Sequence, residues 1–134
     1  APFFQKEKQA DSIFSEIEMA YQEAKILAKK AEKKPTVLTS GLYKDVWYVA
    51  GGKSWLAQFL ADANADYIWA ASENTGSIGL SLEAVLERGQ QADFWLNPSS
   101  HTTYEEVEQA NVHYQQFKAF SNRKIYSNAV EKVD

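Results

Sequence analysis

The run PTVLTSGLYKDVWYVAGGKSWLAQFLADANADYIW, residues 35–69, decides the fold because its hydrophobic period changes within it. Thr36-Val37-Leu38-Thr39-Ser40 is short, β-branched and bounded by Pro35 and Gly41, which predicts a strand. Ser54 to Ala63 then carries Leu56, Phe59 and Leu60 at helical spacing. Asp66-Tyr67-Ile68-Trp69-Ala70 returns to a strand pattern. Strand, helix and strand in this compass have the length of a βαβ crossover, which implies parallel pairing.

The alternation continues outward. Ala92-Asp93-Phe94-Trp95-Leu96 and Arg123-Lys124-Ile125-Tyr126-Ser127 predict two more strands. Between them, Ser81 to Gln90 carries Leu82, Val85 and Leu86, and Thr103 to Phe120 carries Val107, Ala110, Tyr114 and Phe117. The second of these helices is expected to break near Asn111, and Thr103 with Glu106 makes a capping-box signature at its start. Ahead of the quoted run, Ile13, Ile17, Ala20, Ala24, Leu27 and Ala31 recur at spacings of three and four, predicting a further helix. Asp11 or Ser12 is its candidate cap and Pro35 its stop. Lys29, Lys30, Lys33 and Lys34 read as a solvated helix end that suits the dipole rather than as a basic binding patch.

The predicted fold is therefore α/β: a parallel sheet of about four strands with helices on both faces. The opening helix is longer than so small a domain needs, and no covering helix follows the last strand. A piece of a larger chain is expected.

The composition is that of a globular domain, with 134 residues, 45% apolar and 24% charged. A net charge of −4 weighs against nucleic acid as a partner. The absence of cysteine removes disulfides, thiolate zinc sites and cysteine nucleophiles. No apolar run approaches the length of a membrane span, and the opening residues do not read as a signal peptide.

In parallel α/β sheets ligands sit at the carboxyl ends of the strands. Three loops are predicted there. Ser40 to Lys53 carries Tyr43, Trp47, Tyr48 and Gly51-Gly52; Ser72 to Leu80 carries Gly76 and Ser77; Asn97 to Thr102 carries Ser99 and His101. Aromatic faces, glycines and small polar groups together suit a large, partly apolar ligand. Trp69 and Trp95 lie within strands and are expected in the core. Trp47 and Tyr48 read equally as ligand-facing or packed under their loop. Trp55 follows a Ser54 cap and reads more as packed on the sheet than as ligand-facing. Gly51-Gly52-Lys53-Ser54 lacks the first glycine of a phosphate loop. With two histidines at no metal-ligand spacing and no GxSxG elbow, neither a histidine metal site nor a serine hydrolase is indicated. Ser81 as cap places Glu83 in a helix's first turn, where acids are favoured by the dipole alone.

The run GLSLEAVLERGQQADFWLN, residues 79–97, resembles an element of the substrate-binding proteins of ABC importers. The group is the helical-backbone (class III) one, serving vitamin B12, haem and iron-siderophore uptake. Residues 35–69 resemble the start of that family's C-terminal lobe, and the likeness covers roughly residues 10–128. It implies two α/β lobes joined by a long rigid helix, with the ligand between them. Residues 1–35 would hold the tail of that helix and the first helix of the lobe, and residues 36–134 the C-terminal lobe itself. The family position for permease docking, a glutamate at a helix start that enters an arginine pocket, falls on Glu83.

By location, the family's ligand contacts in this lobe fall on Trp47, Tyr48, Gly76, Ser77, Asn97 and Ser99. No arginine occurs in the three loops, only Lys44 and Lys53 nearby, which favours an aromatic, weakly charged ligand such as a corrinoid over a strongly anionic chelate. The resemblance implies no catalysis and no resident cofactor or metal. It implies an ABC permease as partner, a metal chelate or corrinoid as cargo, and a periplasmic or cell-envelope location. Any leader or lipid anchor would lie outside this stretch. The rival readings are a flavodoxin-like enzyme or receiver, and a purely structural interaction domain. A receiver needs acids where Ser40-Gly41-Leu42 and Asn97 stand.

Overall fold

The computed structural model describes residues 2–128 and 133. Positions 129–132 and 134, which the sequence reading assigns to the same lobe, lie outside the described residues. Helix α1 (Pro2–Lys29) is followed by strand β1 (Thr36–Thr39), a hairpin of β2 (Leu42–Tyr43) and β3 (Val46–Ala50), and α2 (Trp55–Asp62). Then come β4 (Asp66–Tyr67), β5 (Ser77–Leu80), α3 (Leu82–Gly89) and β6 (Phe94–Leu96). Helix α4 (Tyr104–Ala110), a 3₁₀ turn (Val112–Gln116), α5 (Lys118–Ser121) and β7 (Ile125–Tyr126) complete the order.

The four strands expected from the sequence form one parallel sheet in the order β4-β1-β6-β7. Consecutive residues of β1 point to opposite faces. Val37 is 4% exposed and Leu38 0%, so both faces of the sheet are covered. Asp93 locks the strands at the opposite edge. Its carboxylate accepts from the Thr36 backbone N–H at 3.0 Å and from Lys118 Nζ at 3.0 Å, and its own N–H donates to Thr36 Oγ1 at 3.0 Å.

The helix caps are local and legible. Ser54 Oγ accepts from the Ala57 N–H at 3.1 Å, Ser81 Oγ from Ala84 at 3.2 Å and Thr103 Oγ1 from Glu106 at 3.1 Å. Glu106 reaches back to the Thr102 N–H, a capping box displaced by one residue. The break near Asn111 is observed: α4 stops at Ala110, and Asn111 Oδ1 caps the 3₁₀ turn by accepting from the His113 N–H.

Two expectations are corrected. Helix α1 begins at Pro2, so Asp11 and Ser12 sit inside it and cap nothing. Proline's fixed φ and missing N–H suit a first helical position. More consequentially, the stretches 40–53 and 72–80 are not open loops. They contain β2, β3 and β5, a second, antiparallel sheet in the order β2-β3-β5. Lys44 and Asp45 form the hairpin turn with φ of 48° and 65°, the left-handed pair that matches strand twist.

Candidate functional site

Period-two alternation along β3 sends Trp47 and Val49 inward and Tyr48 outward. The expectation that Trp47 faces a ligand does not survive: it is 0% exposed. Its ring stacks on Trp95 at 5.6 Å and meets Tyr114 and Phe117. Trp95 touches the same two rings at 5.0 and 5.1 Å. Trp95 is core in β6 as expected; Trp69 is core too, but the strand expected over Asp66–Ala70 stops at Tyr67 and Trp69 is buried from the turn that follows it.

These buried aromatics also shape the carboxyl edge of the sheet. Trp47 Nε1 donates to the Thr39 carbonyl at 2.8 Å and Trp95 Nε1 to that of Ser40 at 2.6 Å. The Tyr67 hydroxyl donates to the Ala50 carbonyl, and the Tyr114 hydroxyl accepts from the Leu42 N–H at 2.8 Å. Each of these four aromatic polar groups finds a partner, and each partner lies where a strand begins or ends. Burial pushes the Tyr67 and Tyr114 phenols above their ordinary range, which keeps them neutral hydrogen-bonding groups.

The three predicted segments meet at this edge. Ser40 N–H donates to the Leu96 carbonyl, and a Cβ at Gly41 would lie 2.9 Å from Ser99 Oγ. Gly51 N–H donates to the Gly76 carbonyl at 2.8 Å and Lys53 N–H to that of Asn74 at 3.0 Å. A Cβ at Gly51 would stand 2.2 Å from the Asn74 carbonyl oxygen, so only glycine permits this approach. Ser40, Asn97 and Ser99 all have positive φ, at 71°, 54° and 56°. Left-handed non-glycine backbone of this kind is held in place only by its surroundings, and it gathers at ligand sites.

The candidate residues fall into two groups. Gly76 and Ser77 lie exposed beside the Gly51–Lys53 loop, with Ser77 paired to Ala50; Tyr48, 47% exposed, pairs with Gly79 further along the same small sheet. Asn97 and Ser99 lie at the end of β6, where Asn97 Oδ1 accepts from the Asn128 N–H at 2.7 Å.

An open depression of about 710 Å³ adjoins the first group, lined by Gly52, Lys53, Ser54, Trp55, Gln58 and Thr75 among others. Trp55 is 81% exposed on its rim. The expectation that Trp55 packs on the sheet is therefore corrected: the first residue of α2 points away from the core its neighbours Ala57 and Leu60 enter. The sequence signal for it was the Ser54 cap, which fixes the helix phase. Lys53 pairs with Glu73 at the same edge. Glu83 is exposed in the first turn of α3 and has no hydrogen-bond or ion-pair partner among the described residues. No cluster of three or more acidic or histidine side chains able to hold a metal occurs among the described residues. No helix among them is long and apolar enough to cross a membrane.

A family model described as "Periplasmic binding protein" matches residues 1–128. An uncharacterized lipoprotein of Methanocaldococcus jannaschii is 30% identical over 129 residues, which are 94% of this chain and 30% of that protein. Among solved structures, a possible iron-binding, periplasmic solute-binding protein of Staphylococcus epidermidis superposes with a TM-score of 0.70 at 21% identity. The match covers 95% of this chain and 48% of that one. IsdE of S. aureus, solved with haem, superposes with a TM-score of 0.67 at 22% identity, covering 92% of this chain and 49% of its own. The chain thus spans about half the length of these solved structures and about a third of the lipoprotein's.

Proposed function

The chain belongs to the periplasmic binding protein family, whose members bind substrates and are not enzymes, and on that premise we propose that it is one lobe of an ABC-importer binding protein. Its cargo is an iron or cobalt chelate of the haem, ferric-siderophore or cobalamin type, handed to an ABC permease. Residues 1–35 supply the tail of an interlobe helix and residues 36–134 the C-terminal lobe. The protein works in the periplasm or at the cell envelope, held by a lipid anchor. The names of the relatives support iron or haem as cargo and a lipid-anchored form.

The observation that carries the reading is Trp55. An indole 81% exposed beside a depression at the carboxyl edge of a parallel sheet is a stacking platform for a large, flat, partly apolar ligand. Tyr48, Gly76, Ser77, Asn97 and Ser99 complete this half of the cleft. Trp47 serves it from behind, by holding the hairpin. The absence of arginine from this edge favours cobalamin over a strongly anionic chelate. Glu83, free and exposed, is the permease-docking carboxylate, able to pair bidentately with arginine.

Titration of the chain with cyanocobalamin, haemin and a ferric catecholate siderophore, followed by tryptophan fluorescence, tests the site. One of the three quenches the emission, and Trp55→Phe removes most of that quenching. Affinity is low, because a single lobe leaves the ligand half solvated. No quenching by any of the three, or the same quenching in Trp55→Phe, overturns the assignment. Glu83→Ala leaves quenching and thermal stability unchanged and weakens docking to permease-containing vesicles by about 1.5–3 kcal/mol. Unchanged docking with lowered thermal stability would reduce Glu83 to a partner of the helix dipole.

A further inference from the structure

Apart from the backbone bonds that close its own last turn, the hydrogen bonds and ion pairs that α1 makes to the rest of the chain, among the described residues, come from Tyr21, Lys25 and Ala28. They fall at two places. At the end of α1, the Ala28 carbonyl, which takes the Ala31 N–H at 3.1 Å, also accepts from Asn64 Nδ2 at 3.2 Å. Two turns earlier, Asp62 at the end of α2 gathers three donors. The Tyr21 hydroxyl donates to Oδ2, while Lys25 Nζ at 3.2 Å and Gln58 Nε2 at 3.0 Å share Oδ1.

Tyr21 and Ala28 are seven residues apart, roughly 10 Å along a helix. Two contacts that far apart define a direction, whereas one alone is a pivot. The Tyr21 ring also meets Phe59 edge-on at 6.2 Å, but a single apolar contact of that kind lets a helix roll and slide. The carboxylate does not, because its hydrogen bonds are directional and, with Lys25, charge-assisted. The Asp62 side chain is only 13% exposed, so water competes weakly for its oxygens. Hydrogen bonding from Tyr21 first, and then from Lys25, holds its pKa below the ordinary carboxylate range despite desolvation, as expected of a carboxylate whose charged form is the one being bound.

We propose that Asp62 is a positioning residue that fixes the angle at which α1 leaves the lobe, with the Asn64–Ala28 contact as the pivot. Gln58 belongs both to this cluster and to the lining of the depression. The cluster therefore ties the direction of α1 to the helix that carries Trp55, whatever ligand that site takes.

The chain has no cysteine, so Ser15→Cys on α1 and Glu87→Cys on α3 accept a pair of nitroxides cleanly. Double electron–electron resonance on this pair reads the spread of α1 directions. Asp62→Ala broadens the distance distribution about twofold or more, while the near-ultraviolet circular dichroism of the buried indoles is unchanged. Tyr21→Phe keeps the ring contact with Phe59 and removes only the hydroxyl; it broadens the distribution by a smaller amount. Should Asp62→Ala fail to fold, the pair Tyr21→Phe with Lys25→Met removes the interhelix donors and leaves Asp62 in place. An unchanged distribution in whichever of these variants keeps the indole signal overturns the proposal and assigns the angle to the Tyr21–Phe59 contact.

Discussion

The β2–β3 hairpin and helix α1 both carry large apolar side chains, and they treat them in opposite ways. The hairpin drives Trp47 into a cluster with Trp95, Tyr114 and Phe117, and leaves Tyr43 and Tyr48 outward, Tyr48 at 47% exposure. Helix α1 leaves Ile13, Phe14, Ile17 and Leu27 in the open, with Ile17 63% exposed. The hairpin closes on its own chain because its inner face meets the sheet. The helix presents an apolar stripe with nothing from the described residues over most of it. Apolar periodicity thus reports that a face is made for burial, and says nothing about what buries it.

The largest expected effect lies in the cluster. Trp47→Ala removes a fully buried indole and its stacked contact with Trp95. It should destabilise the chain by about 3–5 kcal/mol in urea unfolding. A loss below about 1 kcal/mol would mean that the hairpin does not depend on the core beneath it. Next comes the loop that the hairpin leads into. Gly51→Ala forces a Cβ against the Asn74 backbone and should cost about 1–3 kcal/mol by the same assay, with shifted Asn74 and Gly76 amide resonances. An unperturbed spectrum would show that the two loops are free of each other.

A smaller effect separates the edge of the sheet from both. Hydrogen bonds from the Thr36 backbone, and then Lys118, hold Asp93 below the ordinary carboxylate range. A carboxylate whose acidity is increased by folding stabilises the fold while ionised. Its contribution is present above the unfolded value and disappears as the pH falls through the folded value, in the acid below about pH 4. Asp93→Asn should flatten that part of the stability profile, and an unaltered acid limb would remove the lock from the account. The least effect is expected on α1. Ile17→Ser should change stability by no more than about 0.5 kcal/mol and reduce self-association on sedimentation. A large loss of stability would mean that this stripe is already covered within the chain.

Much of the architecture was legible along the chain. The four parallel strands, the helices between them, the caps at Ser54, Ser81 and Thr103 and the break at Asn111 all rest on local preferences. They follow from the period of apolar residues and from side chains that bond their own backbone within three residues. The hairpin was missed because its turn is Lys44-Asp45, without the asparagine or glycine that usually marks left-handed turn positions. The alternation in Val46-Trp47-Tyr48-Val49 was the available signal, and reading that segment as a loop hid it.

The tryptophans divide the same account more sharply. Sequence alone placed Trp69 and Trp95 in the core, rightly for both although Trp69 sits in the turn after β4 and not in a strand, and it placed the candidate site at the carboxyl ends of a parallel sheet. It could not sort Trp47 from Trp55, eight residues apart in one run. Which of the two is buried depends on the stacking of β3 over β6 and on the phase in which α2 meets the sheet. Both are contacts between residues distant in the chain. Backbone conformation is chosen largely by neighbours within a few residues, whereas the environment of one indole is chosen by surfaces that meet only after the chain has folded.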